Sequence, residues 1–122
     1  MKPAAFDYYA PASVEEALDR LAELGYSGKV LAGGQSLIPA MNFRMARPGA
    51  LVDLNNINEL NYINTPKEGG LAIGTMTRDS VVEHSQVVSE KAPLVIETMP
   101  NIGHPQIRNR GTFGCLPSRT RW

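Results

Sequence analysis

A single thiol, Cys115, stands in 122 residues, so no disulfide can close within the chain and a disulfide-stapled secreted scaffold is excluded. Long apolar runs are missing too, and none approaches the roughly 20 residues that a membrane-spanning helix needs. The N-terminal MKPAAFDYYAP lacks the apolar segment of a secretory signal. Neither sign of charge is in excess: Lys+Arg and Asp+Glu are both 12, so no global field steers the chain toward nucleic acid or a membrane surface. No cluster of Cys, His and Asp has the spacing of metal ligands, and no internal repeat or low-complexity tract is present. These absences favour a cytoplasmic protein. Hydrophobic content of 43% is ordinary for a globular chain.

What is there alternates in character. FDYYAP reads as a short strand closed by Pro11, and SVEEALDRLAELG as a helix, with Val14, Ala17, Leu18 and Leu21 at helical spacing. Ser13 and Glu16 form a capping box and Gly25 suits the stop. KVLAGG is a strand that breaks at Gly33-Gly34. Ser36 then caps a helix over LIPAMNFRMA, and ALVDLNNI follows as a strand. Strand, helix, strand, helix, strand is the order of a small parallel α/β unit. The second half reads as a hairpin over YINTPKEGGLAIGTMT, a helix RDSVVEHSQVV capped by Thr77, a periodic segment APLVIETMPNIG ending at Gly103, and a polar loop HPQIRNRGTFG. Met41, Met45, Met76 and Met99 are read as core filler.

Two loops could carry binding chemistry. In AGGQS, residues 32–36, glycines lie between a strand and a helix start. Glycine lets backbone approach a ligand without a Cβ, and amides at such a turn favour anions. The loop is either a tight turn or a pyrophosphate cradle. It is not a P-loop, since no Lys follows, nor a Rossmann fingerprint, since G-x-G-x-x-G is absent. QIRNRGTFG, residues 106–114, offers backbone amides, the Thr112 hydroxyl, Arg108 and Arg110, or is an ordinary loop. After Lys91 the only acid is Glu97, while Arg108, Arg110, Arg119 and Arg121 lie in the last stretch. That excess reads as a solvated basic tail or as an anion site. His84, His104, Ser36 and Cys115 have no context for a nucleophile or a base, and Asp53 and Asp79 read as a strand-end and a helix-start acid.

KVLAGGQSLIPAMNFRMARP followed by NIGHPQIRNRGTFG resembles the FAD-binding medium subunit of molybdenum hydroxylases, of the carbon-monoxide-dehydrogenase and xanthine-dehydrogenase types. The resemblance runs from about Met1 to Gly114. It implies the N-terminal part of a vanillyl-alcohol-oxidase-like, PCMH-type FAD-binding domain, an α/β (α+β) fold. Residues 1–57 would form a first subdomain, residues 58–114 the start of a second, and 115–122 an aberrant tail, with FAD lying between the two pieces. It carries the flavin site to Leu31, Ala32, Gly33, Gly34, Gln35 and Ser36, and to Gly111, Thr112, Phe113 and Gly114. It implies an electron-transfer subunit, partnered by an iron–sulfur small subunit and a molybdenum-cofactor large subunit, passing electrons to an external acceptor. No catalytic acid or base and no metal ligand is expected, because the flavin carries the redox chemistry. The competing expectation is a truncated fragment that binds FAD weakly or not at all.

The ending departs from the family, which continues the second loop with another glycine and then a segment containing Ala-Asp-Pro. Here position 115 is Cys115 and CLPSRTRW follows Gly114. Ser118-Arg119-Thr120-Arg121 can be encoded TCG CGG ACC CGG, and the same string read from its third base gives Ala-Asp-Pro. The expectation is that a shift of reading frame would account for the tail. Sequencing the gene here should reveal codons that yield Ala-Asp-Pro in a shifted frame; codons that cannot do so refute it.

Overall fold

The computed structural model describes residues 1–115, so the frameshift reading, apart from Cys115, falls outside the described residues. The chain divides into two compact units, Met1–Asn58 and Glu59–Trp122, each taken by itself.

The first unit contains β1 (Asp7–Tyr9), α1 (Val14–Leu24), β2 (Gly28–Leu31), α2 (Leu37–Asn42) and β3 (Ala50–Asp53). Helix α1 starts where its sequence says. Ser13 Oγ accepts from the Glu16 amide at 3.2 Å, and the Glu16 carboxylate reaches back to the Ala12 amide at 3.2 Å. Gly25, at φ 55°, ends it. The strands form a parallel sheet in the order β1-β3-β2. Ala50, Leu51 and Val52 of the central strand are buried, as expected of a parallel strand covered on both faces. On the face that carries Tyr9, Val52 and Val30, α1 packs closely: Arg20 lies 4.4 Å above the Tyr9 ring, and a Cβ on Gly28 would stand 2.8 Å from the Leu24 Cβ. All three strands point the same way, so Tyr9, Leu31 and Asp53 end at one edge. That carboxyl edge is where open α/β sheets bind ligands.

Helix α2 is shorter than LIPAMNFRMA predicts. The amides of Met45 and Ala46 both fold back onto the Ala40 carbonyl, at 2.9 and 3.2 Å, and Arg44 takes a left-handed φ of 56°. This reversal ends the helix at Asn42 and leaves Met45 84% exposed, so Met45 is not core filler. Met41, Met76 and Met99 are buried.

The second unit pairs β4 (Ile63–Asn64) with β5 (Ala72–Ile73) in an antiparallel hairpin, turned at Pro66–Gly69 by a 3.0 Å hydrogen bond. Four short helices follow: α3 (Asp79–Glu83), α4 (Gln86–Lys91), α5 (Pro93–Thr98) and α6 (Pro105–Arg110). Their core is Val82, Val88 and Met99, against which Ile73, Val95, Ile102 and Phe113 pack. Burying each such side chain fully stabilises by about 1.5–3 kcal/mol.

Three expectations change here. Thr77 does not cap the following helix: its hydroxyl accepts from the Tyr62 amide at 3.1 Å and donates to the Tyr62 carbonyl at 3.0 Å, and Arg78 is the cap residue. The single helix expected over RDSVVEHSQVV is two, because Ser85 leaves the helical region and caps α4 through the Val88 amide. HPQIRNR is not loop but α6, opened by Pro105 at its first turn. Its Arg108 is buried rather than solvated. Nε donates to Glu83 at 3.0 Å and Nη1 to the carbonyls of Ile102 and Gly103 at 3.2 and 3.4 Å.

Removing one partner of such a pair leaves a desolvated charge uncompensated. Glu83→Ala should therefore lower stability by about 3 kcal/mol in urea unfolding. Glu23→Ala, which breaks the exposed Arg20–Glu23 pair, should cost less than about 1 kcal/mol. Equal losses would show that burial of Arg108 does not set the difference.

Candidate functional site

The first loop begins where β2 leaves the sheet. Leu31 still takes part in pairing, and its carbonyl accepts from the Leu54 amide at 3.0 Å. Beyond it, carbonyls rather than amides are engaged. The Ala32 carbonyl accepts from Asn55 Nδ2 at 2.9 Å, the Gly33 carbonyl from Gln35 Nε2 at 3.3 Å, and the Gly34 carbonyl from the Ile38 amide at 3.1 Å. The amides of Gly33, Gly34, Gln35 and Ser36 donate to no acceptor among the described residues. Gly34 sits at φ 75°, and a Cβ there would lie 3.1 Å from Ile38 Cγ1 and 3.4 Å from Leu31 Cδ1. The dihedral selects glycine, and a Cβ would also crowd the Ile38 side chain. Ser36 makes no side-chain cap bond, contrary to expectation, because its own backbone is already in the helical region. Helix α2 has six residues, so the loop amides, not a helix dipole, make up the donor set.

Sequence reasoning missed what supports this loop. Asp53 Oδ1 accepts from the Asn55 amide at 2.9 Å and from Asn55 Nδ2 at 2.5 Å. Asp53 Oδ2 accepts from the Tyr8 hydroxyl at 2.5 Å. That hydrogen bond, with burial and the nearby carboxylate charge, raises the Tyr8 phenol above its ordinary 10.0. An Asx residue just past a strand end was the available signal.

The second loop is built differently. Thr112 forms an isolated antiparallel bridge with Arg78, and Arg78 Nη1 also donates to the Arg110 carbonyl. The Gly111 amide donates to Ile107, the Phe113 amide to Thr77 at 2.8 Å and the Gly114 amide to Thr75 at 2.9 Å. These donors, expected to be open to phosphate, are consumed within the unit. Both glycines are packing glycines: a Cβ on Gly111 would strike Asp79 Oδ2, and one on Gly114 would strike Thr75 Oγ1. Phe113 packs on the apolar core. Thr112 Oγ1 is buried with no hydrogen-bond partner among the described residues, and is the hydroxyl with unused capacity in this loop. Of the histidines, His84 Nδ1 lies 2.8 Å from the Ser80 carbonyl, and His104 opens α6 without a side-chain cap bond. Among the described residues no three His, Cys, Asp or Glu side chains are grouped to hold a metal, and no helix is long and apolar enough to cross a membrane.

Against known proteins, the family described as FAD binding domain in molybdopterin dehydrogenase matches residues 4–115. The chain belongs to that family, whose cofactor is FAD. It is 47% identical to the 6-hydroxypseudooxynicotine dehydrogenase complex subunit alpha of Paenarthrobacter nicotinovorans, over 93% of this chain and 38% of that protein. It is 45% identical to the carbon monoxide dehydrogenase medium chain of Hydrogenophaga pseudoflava, over 93% of this chain and 39% of that one. Among solved structures, carbon monoxide dehydrogenase from Hydrogenophaga pseudoflava aligns with a TM-score of 0.90 at 44% identity, over 93% of this chain and 39% of that one. Quinoline 2-oxidoreductase from Pseudomonas putida 86 aligns at 0.88 and 37%, over 94% and 40%. The α/β fold and the resemblance to medium subunits of molybdenum hydroxylases are thus established, and these relatives are oxidoreductases. The chain spans about two-fifths of the length of the relatives it matches.

The residues present fit an anion such as a diphosphate: amides without an internal acceptor beside a positive-φ glycine form a donor set for one, and the first loop supplies four among the described residues. Gly34→Ala should lower the melting temperature through strain at φ 75°, at a cost of about 1–2 kcal/mol. Gly69→Ala, equally left-handed but with open space around it, gives the cost of the dihedral alone. A Gly34→Ala loss no larger than that of Gly69→Ala would show that the contacts with Ile38 and Leu31 impose nothing.

Proposed function

We propose that the chain is the FAD-binding part of a molybdenum-hydroxylase medium subunit, and that residues 31–36 hold the diphosphate of FAD. The observation that carries this is the row of unbonded amides from Gly33 to Ser36 beside Gly34. A diphosphate is the anionic part of FAD, and main-chain amides can hold an anion without a cationic side chain. Gly111, Thr112, Phe113 and Gly114 are assigned to the same cofactor by resemblance alone. Among them the Thr112 hydroxyl is the available donor, and the rest serve the fold.

Bound FAD supplies two-electron redox chemistry, and the chain supplies binding and placement. No side chain here is asked to move a proton. By resemblance, the electrons come from an iron–sulfur subunit served by a molybdenum-cofactor subunit, and leave to an external acceptor. A cytoplasmic location belongs to the same proposal.

One observation favours a weaker reading, a chain that binds FAD poorly. The amides of Gly111, Phe113 and Gly114 are already donated internally, which leaves the first loop as the open donor set. The expected dissociation constant is therefore above micromolar.

Titration of the purified chain with FAD, followed by flavin fluorescence, should show weak binding. ADP should displace FAD, riboflavin should not, and Gly34→Val should abolish the signal. Displacement by riboflavin but not ADP would refute the diphosphate assignment, and sub-micromolar affinity would refute the weak-binding reading.

A further inference from the structure

We propose that Asn55 is a positioning residue that aims the Gly33 amide, with Asp53 and Tyr8 as its support. The inference rests on the reading of residues 31–36 as a diphosphate cradle and adds how that cradle is kept open.

The C=O of one residue and the N–H of the next share a rigid trans unit and point in opposite directions. Fixing a carbonyl therefore fixes the direction of the following amide. The Ala32 carbonyl accepts from Asn55 Nδ2 at 2.9 Å, which turns the Gly33 N–H away from Asn55. The Gly33 carbonyl is held by Gln35 Nε2 at 3.3 Å, which sets the Gly34 N–H. The Gly34 carbonyl is held by the Ile38 amide at 3.1 Å, which sets the Gln35 N–H. Three successive peptide planes are thus oriented through their oxygens, and each leaves its amide without an internal acceptor. Gln35 assists with a side chain turned back onto its own loop.

Of the three holds, only that on Ala32 comes from outside the loop and its helix. Asn55 follows the end of β3, and Asp53 Oδ1 holds it twice, accepting from its backbone amide at 2.9 Å and from its side-chain Nδ2 at 2.5 Å. The Tyr8 hydroxyl occupies the other carboxylate oxygen at 2.5 Å, so the ends of β1 and β3 brace Asn55 together. Asn55 is exposed, so its packing contribution is small and it can be replaced without opening a cavity.

The test uses the full chain. In Asn55→Ala, the 15N order parameter of Gly33 should fall from about 0.85 toward 0.6 or below, with the melting temperature nearly unchanged. FAD should bind about tenfold more weakly, a change of about 1.4 kcal/mol. Asn55→Leu keeps the approximate shape, loses the donor without adding charge, and should behave alike; it guards against a peculiarity of one variant. If Gly33 keeps its order and both variants bind FAD as the wild type does, the inference is overturned. If the wild-type chain binds no FAD while Asn55→Ala still loosens Gly33, the tether stands and the diphosphate reading falls.

Discussion

A backbone amide left without an internal acceptor must meet water or a ligand, because an unsatisfied donor that is also desolvated costs about 1–3 kcal/mol. Folding ordinarily pairs such groups. Between β2 and α2 four consecutive amides, Gly33 to Ser36, have no acceptor among the described residues, while the carbonyls of Ala32, Gly33 and Gly34 are held. The positive φ of Gly34 lets the chain turn at this point, and the parallel sheet delivers the turn to its carboxyl edge. The rest of the first unit follows from this constraint. Helix α1 covers one face of the sheet, the buried β3 anchors Asp53 and Asn55, and Asn55 reaches the loop.

The two glycine-containing loops look alike in sequence and differ in physics. In the first, glycine serves a dihedral and a narrow space, and the amides remain open. In the second, Gly111 and Gly114 are glycine because Asp79 and Thr75 press against them, and the amides close hydrogen bonds with Thr75, Thr77 and Ile107. A glycine motif therefore marks a place where backbone comes close to something. Whether that something is a ligand or the protein itself depends on tertiary neighbours.

Much of the fold was legible because local signals agreed. Ser13, Glu16 and Gly25 bounded α1, and short β-rich runs marked β2 and β3. The Pro66–Gly70 turn residues marked the hairpin. The failures share a cause in distant contacts. QIRNR has no apolar period, yet it is helical, with Arg108 meeting Glu83 from α3. Thr77 was read as a cap from its neighbours in sequence, but its hydroxyl serves Tyr62. LIPAMN stops early through a backbone reversal at Arg44 that no propensity signals. Of the candidate site, the loop itself was legible and its support was not, since Asn55 in DLNNI reads only as a turn residue.

The central claim concerns particular hydrogens, and an amide-resolved measurement reaches it most directly. In a 1H–15N correlation spectrum of the labelled chain titrated with ADP, the account predicts that the Gly33, Gly34, Gln35 and Ser36 amides shift downfield together on one saturation curve. The amides of Gly111, Phe113 and Gly114, already bonded, should move far less. Saturable shifts confined to other residues, with Gly33 to Ser36 unmoved, would contradict it.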